Sequence, residues 1–260
     1  MPVIQSDGCP IYFEMTGPQD APILMLSNSL GTNLHMWDEQ VKPFTAAFRL
    51  LRYDRRGHGK SGVPKGPYSM EQFGRDAIAV MDAVGAQKVH WCGLSMGGMV
   101  GQWLGANAPE RIGRLILSNT SCYYASKDMW NDRIATIQKS GLAAIVNGVM
   151  NVWFTKDFHE RSPDTIARMK EMLLETSADG YIASGEAVRD MDHREILKNI
   201  KAPTLIIAGR QDMATTVEAA EFIRSRVPGA SMTLLDACHI SNVELPGLYA
   251  DTVLGFLTQR

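Results

Sequence analysis

Cysteine is scarce in this sequence. Four residues among 260, Cys9, Cys92, Cys122 and Cys238, lie far apart and form no C-x-x-C pair. That spacing argues against a zinc site and against a disulfide framework. Cys92 and Cys238 sit in apolar stretches and read as reduced core residues. Long apolar runs are missing too. None approaches the ~20 residues that span a bilayer, so no membrane partner is expected. Nor does charge of one sign dominate. The 26 basic and 28 acidic side chains leave a formal charge of −2, which offers nucleic acid no electrostatic footprint. The one basic cluster, Arg49, Arg52, Arg55 and Arg56, is short and broken by apolar residues. It reads as the solvated edge of a strand and loop. Met1 to Pro10 lack a basic patch followed by an apolar run, the pattern of a secretory signal, and a cytoplasmic location is the expectation.

An apolar fraction of 45% with 21% charged residues argues for an ordinary globular core over disorder or coiled coil. The length suits one large domain, or one domain with an insert. Short apolar runs end at turn residues: Ile23 to Leu26, Phe48 to Tyr53, Val89 to Cys92, Arg114 to Leu117, Thr204 to Ala208 and Met232 to Leu235. Such runs suit strands buried on both faces of a parallel sheet. Helical periodicity lies between them. Met70 to Val84 puts Phe73, Ala77, Val80, Met81 and Val84 on one face, Met99 to Ala108 follows the Gly93 turn, and Glu218 to Arg226 stops before Pro228-Gly229. This alternation predicts a doubly wound, mostly parallel α/β sheet. It lapses over 122–190, where the pattern is helical only: Asp128 to Lys139, Leu142 to Met150, Pro163 to Thr176 and Ala178 to Asp190. Because the chain then returns to the sheet at Ala202, the expected organisation is a core of 1–121 and 191–260 with a helical cap of 122–190. Val3 to Cys9 and Ile11 to Gly17 suit an edge hairpin turned at Asp7-Gly8.

The strongest chemical signal is Gly93-Leu94-Ser95-Met96-Gly97-Gly98. It follows an apolar strand and opens a helix, the context of a G-x-S-x-G nucleophile elbow. It is not G-x-G-x-x-G, and no Lys-Ser/Thr pair follows, so a phosphate loop is the weaker reading. A serine nucleophile needs a base, and the base needs an orienting carboxylate. After such an elbow the partners come in the order acid, then histidine. Of the histidines beyond Ser95, His159 and His193 lie in or beside the helical insert and read as surface side chains. His239 follows the last strand, at the sheet edge where ligands collect. Asp212, after the Thr204 run, is the best acid. Asp236 competes but stands only three residues before His239, and Asp192 is an outsider. The oxyanion donors should be the N–H of Met96 and one N–H from Ser27-Asn28-Ser29-Leu30-Gly31, for which Leu30 is chosen.

At these residues the chain resembles the α/β-hydrolase superfamily over nearly its whole length. Tyr53-Asp54-Arg55-Arg56-Gly57-His58-Gly59-Lys60-Ser61 is similar to that family's D-x-R-G-x-G-x-S stretch, in which His58 would be structural. Ser27-Asn28-Ser29-Leu30-Gly31-Thr32, Gly101-Gln102-Trp103-Leu104-Gly105 beyond the elbow, and His239-Ile240-Ser241-Asn242-Val243-Glu244 narrow the resemblance to the 3-oxoadipate enol-lactonases. So do Met129-Trp130-Asn131-Asp132-Arg133-Ile134 and Trp153-Phe154-Thr155. Ser27-Asn28 in place of the superfamily's common His-Gly is shared by that narrower family. The resemblance implies hydrolysis of an enol-lactone in the β-ketoadipate route of aromatic breakdown, no cofactor, and a triad of Ser95, Asp212 and His239.

The substrate so implied carries a carboxylate, for which a fixed arginine is the natural partner. Trp130, Arg133, Ile134 and Ile137 share one helical face. Arg133 is therefore the candidate carboxylate ligand and Trp130 a candidate wall, against the alternative of a snorkelling Arg133 and a core Trp130. Trp153 is a second candidate wall, with cap core the safer reading. The rival functions are another serine hydrolase of this fold, a carboxylesterase or cofactor-free perhydrolase, and, at greater distance, a small-molecule receptor.

Overall fold

Turn chemistry sets the first element. Asp7 and Gly8 both adopt positive φ, 48° and 73°, the turn that matches right-handed strand twist. They join β1 (Val3–Ser6) to β2 (Cys9–Thr16), with Ser6 opposite Cys9. The structure is a computed structural model that describes residues 2–259. The chain continues through β3 (Ile23–Ser27), α1 (Asp38–Phe44), β4 (Arg49–Tyr53), α2 (Met70–Ala83), β5 (Val89–Leu94), α3 (Met96–Asn107) and β6 (Ile112–Ser118). Helices alone follow: α4 (Asp128–Ser140), α5 (Val146–Trp153), α6 (Lys156–Arg161), α7 (Pro163–Leu174) and α8 (Ala178–Asp190). The sheet resumes with β7 (Thr204–Gly209), α9 (Val217–Arg226), β8 (Ser231–Leu235), α10 (Ser241–Glu244) and α11 (Pro246–Leu257). No helix among the described residues is long and apolar enough to cross a membrane.

The eight strands form one sheet in the order β1-β2-β4-β3-β5-β6-β7-β8. The β1–β2 and β2–β4 pairs are antiparallel, and every pair from β4 to β8 is parallel. This is the doubly wound, mostly parallel α/β sheet that the alternation of runs and helices predicted. Central strands bury both faces: β7 is buried at every position, as its unbroken Thr-Leu-Ile-Ile-Ala-Gly run requires. From β3 the chain goes to β4 on one side, then crosses to β5 on the other. The order therefore reverses between β3 and β5, which lie side by side with Ser27 paired to Gly93. A crevice opens outside the carboxyl ends of strands at such a reversal, and the Ser27–Gly31 loop and Ser95 flank it.

The arginine cluster corrects the sequence reading of a solvated edge. Arg52, Arg55 and Arg56 are buried. Arg52 bridges Glu14 at 3.0 Å and Asp38 at 2.7 Å. Arg56 pairs with the buried Asp76 on α2 through Nε and Nη2, each at 2.6 Å, and Asp76 also accepts the Ser6 hydroxyl at 2.6 Å. Arg55 donates to backbone carbonyls. Their partners are remote in sequence, so no local pattern marks them as interior. Several elements also escape the periodicity argument. Helices α6 and α10 are too short to show a repeat, and α3 begins at Met96, ahead of the Met99 start that its apolar pattern suggests.

The Arg56–Asp76 pair anchors the loop after β4 to α2. Removing one partner strands a buried charge, which costs ~3–5 kcal/mol. Asp76→Ala should lower the free energy of unfolding in urea by about that amount. A loss below about 1 kcal/mol would mean that Arg56 finds water once unpaired.

Candidate active site

The elbow is a backbone device. Ser95 holds φ 56° and ψ −117°, a conformation that non-glycine residues adopt at a cost of about 1–3 kcal/mol. Its N–H donates to Ser118 O at 2.8 Å, and its carbonyl accepts the Thr120 hydroxyl at 2.7 Å. Both flanking glycines are obligatory. A Cβ on Gly93 would lie 2.1 Å from Gly97 O, and one on Gly97 would lie 2.1 Å from Ser27 O. Their bareness lets the start of α3 seat against the loop after β3.

The loops after β7 and β8 bring an acid and an imidazole together. His239 Nδ1 lies 2.8 Å from Asp212 Oδ2, both side chains buried. The carboxylate only accepts, so Nδ1 is the donor and Nε2 is left with its lone pair. Asp212 Oδ2 also accepts the Thr215 hydroxyl at 2.7 Å and Asn119 Nδ2 at 3.0 Å. Oδ1 accepts the N–H groups of Ala214 at 2.8 Å and Thr215 at 3.0 Å. Burial pushes the Asp212 carboxyl up, but His239 and the Thr215 bonds outweigh it and hold the pKa at about 2. The histidine loop is pinned on both sides. Cys238 N donates to the buried Glu244 at 2.9 Å, and Ile240 N donates to Trp153 O at 3.0 Å.

Ser95 and His239 line one cavity of about 200 Å³ with no direct hydrogen bond between them; such bonds often tighten only when substrate is present. Ser29 and Leu30 line the same cavity. The amides around it are tied down one by one. Ser29 N donates to the Met36 sulfur at 3.2 Å, Gly31 N to His58 Nε2 at 3.0 Å and Gly97 N to Asn28 O at 3.0 Å. The N–H groups of Leu30 and Met96, which lie between them, find no acceptor among the described residues. Two backbone donors are thus unpaired, one on Leu30, which lines the cavity with Ser95, and one on Met96, next to Ser95 in the chain.

Helices α4, α5 and α8 roof the cavity with Trp130, Arg133, Val149, Trp153 and Tyr181. Trp153 therefore walls the cavity, where cap core was the safer expectation. Arg133 is half-buried, its guanidinium 5.0 Å from the centre of the Trp130 ring. Burial raises the Tyr181 hydroxyl pKa, and the charge of Arg133 beside it opposes that rise. Arg133 forms no ion pair among the described residues, and its charge faces a lining of apolar side chains broken by the hydroxyls of Ser29, Ser95, Tyr124 and Tyr181 and by His239.

The remaining candidates lie elsewhere. Asp236 is exposed and accepts Gln211 Nε2 at 3.0 Å, and Asp192 is exposed and paired with Arg194. His193 corrects the surface assignment. It is buried against Gln102 Oε1 at 3.3 Å, and burial lowers its pKa to about 4. His159 is half-buried, its Nε2 3.2 Å from Met150 O. Sequence reasoning missed Thr215, Asn119 and Glu244. Thr215 had a signal: Asp followed three residues later by Thr, after a strand, is a spacing for side-chain-to-amide turns. Asn119 and Glu244 had none, since their partners come from distant loops.

A strained serine, a paired histidine and carboxylate, and two amides without acceptors thus come together near the reversal of an α/β-hydrolase-type sheet. Comparison with known proteins agrees. The family model for the alpha/beta hydrolase fold matches residues 22–246. The chain is 39% identical over 237 residues to 3-oxoadipate enol-lactonase 2 of Acinetobacter baylyi, covering 91% of this chain and 89% of the relative. It is 33% identical over 255 residues to 3-oxoadipate enol-lactonase 1 of the same organism, covering 98% and 96%. The crystal structure of the enol-lactonase from Burkholderia xenovorans LB400 superposes with a TM-score of 0.97 at 38% identity, covering 99% of this chain and all of the other. The chain belongs to the α/β hydrolases and, within them, to the 3-oxoadipate enol-lactonase family.

Two buried neutral histidines couple stability to pH. Burial, with Arg55 nearby, lowers the His58 pKa to about 3, and burial lowers that of His193 to about 4. In the unfolded chain each takes up a proton near 6.5. The unfolded state therefore binds more protons below that value. Stability from this source is complete above pH ~6.5 and falls as pH drops toward ~4 and then ~3. Urea midpoints at about pH 7 and about pH 4.5 should differ, and His193→Gln should narrow the gap. Equal midpoints for the unaltered protein would contradict this coupling.

Proposed function

We propose that this protein hydrolyses 3-oxoadipate enol-lactone to 3-oxoadipate, with Ser95 as nucleophile, His239 as base and Asp212 as its orienter. The observation that carries the substrate assignment is Arg133. A guanidinium with no carboxylate partner, in a largely apolar cavity above a serine nucleophile, suits a small ring with a carboxylate arm, and a bare neutral ester would leave that charge without an anion. Trp130 and Trp153 supply flat apolar walls for the ring.

The course follows from the positions of the groups. His239 Nε2 takes the Ser95 proton as Oγ adds to the lactone carbonyl. The carbonyl oxygen becomes an oxyanion and accepts from Leu30 N–H and Met96 N–H, with the start of α3 adding its positive end. Collapse breaks the ring C–O bond. The leaving oxygen departs as an enolate and takes the proton from the His239 imidazolium. The enol so formed becomes a ketone, which draws the reaction forward. Water then gives a proton to His239 and adds to the acyl carbon; the second collapse breaks the bond between that carbon and Ser95 Oγ, which takes the proton back from His239, and the product leaves as the acid. Asp212, ionised throughout the working range, holds Nδ1–H in place and balances the imidazolium.

Two substitutions test this. Ser95→Ala should abolish turnover of the lactone, and near-normal activity would refute the scheme. Arg133→Ala should raise KM for the carboxylate-bearing lactone by roughly 10- to 100-fold, the worth of a charge-assisted bond. KM for a neutral aryl ester should move by less than about threefold. Equal effects on both substrates would remove Arg133 from carboxylate binding.

A further inference from the structure

The unusual residue behind the site is Arg55. It is fully buried and has no carboxylate partner among the described residues. A buried guanidinium without a counter-ion is costly, yet here it donates only to two backbone carbonyls. Nη1 binds Asn28 O, and Nη2 binds Ser29 O at 2.9 Å. Its Nε is unpartnered. Both carbonyls belong to the loop that carries the Leu30 amide.

We infer that Arg55 is a positioning residue for the oxyanion hole, holding the Ser29–Leu30 peptide so that its N–H faces the cavity and lending that peptide its charge. In a trans peptide the C=O and N–H point in opposite directions. Ser29 O is drawn toward Arg55, and it also accepts the Thr32 hydroxyl at 2.8 Å and Thr32 N at 3.3 Å. The Leu30 N–H must then point away from Arg55. The second carbonyl completes the device. Asn28 O accepts from Arg55 and, at 3.0 Å, from Gly97 N, the amide next to Met96. One cation thus holds the first donor's peptide and the carbonyl to which the second donor's helix is tied. A positive charge behind the peptide polarises it, so the N–H becomes a stronger donor where negative charge develops. His58 completes the turn by accepting Gly31 N–H at 3.0 Å, and burial beside Arg55 keeps its imidazole neutral and able to accept.

The inference rests on the assignment of Leu30 and Met96 as oxyanion donors, and the test separates the two. Arg55→Met and Arg55→Lys are prepared, with thermal unfolding recorded for each. An aryl trifluoromethyl ketone, whose hydroxyl adduct on Ser95 is an oxyanion, is compared with the matched methyl ketone as inhibitor. In the unaltered protein the trifluoromethyl ketone should bind far more tightly. Arg55→Met should lower kcat/KM on an aryl ester by about 100-fold, the worth of one hole donor. It should weaken the trifluoromethyl ketone by the same factor and leave methyl ketone binding within about threefold. Arg55→Lys, which keeps the charge and one carbonyl contact, should recover part of both losses. If Arg55→Met does not fold, Arg55→Lys is read against the unaltered protein in the same way. Should the unaltered protein not discriminate the two ketones, the oxyanion assignment itself fails. Should it discriminate while folded variants keep the full preference and rate, Arg55 is structural only and the inference is overturned. A parallel loss for both ketones with unchanged selectivity overturns it as well.

Discussion

A single backbone contact, Gly97 N–H to Asn28 O at 3.0 Å, joins the two loops on which the chemistry depends. It bridges the sheet's reversal, where the chain leaves β3 for one side and returns as β5 on the other. Only glycine permits it, because a Cβ at position 97 would collide with the carbonyl of Ser27. Through this contact the start of α3, with the proposed nucleophile just before it, is held at a set distance from the loop that faces it. The strain at Ser95 is sustained by the same arrangement, since the bonds to Ser118 and Thr120 hold the elbow from the neighbouring strand and loop.

The interior near the site is unusually polar for a sheet core, and each charge in it has a different solution to burial. Arg56 is neutralised by Asp76. Asp212 is stabilised by an imidazole and four protein donors. Arg55 has neither solution: its Nη1 and Nη2 donate to carbonyl oxygens and its Nε has no partner. The first two cases resemble structural ion pairs elsewhere in proteins. The third places a positive charge with no ion-pair partner behind the position where the proposed reaction generates a negative one.

The roof and the histidine loop form one unit. Trp153 accepts the Ile240 N–H, and Glu244 accepts from Cys238 on the loop and from Thr155 at the start of α6. The proposed substrate wall and the proposed base are therefore held by shared bonds. A displacement of α5 would carry the imidazole loop with it. Arg133, on α4, lies outside these bonds and can adjust to the carboxylate of the proposed substrate.

Local chemistry alone determined the run of sheet strands and the longer helices between them, but not α1, α6, α10 or α11, together with the edge hairpin at Asp7-Gly8, the elbow at Ser95 and the candidacies of Asp212 and His239. Each is written in residues adjacent in the chain: apolar runs, turn residues, small residues flanking a serine. Tertiary structure decided what depends on distant partners. It buried Arg52, Arg55, Arg56 and His193, which read as surface residues because the groups that satisfy them lie far away in sequence. It brought Asn119 and Thr215 onto Asp212 and turned Trp153 and Arg133 toward one cavity. The physical reason is range. Periodicity and turn propensity act over a few residues, whereas burial and the pairing of charge arise only once separate strands bring their loops to a common edge.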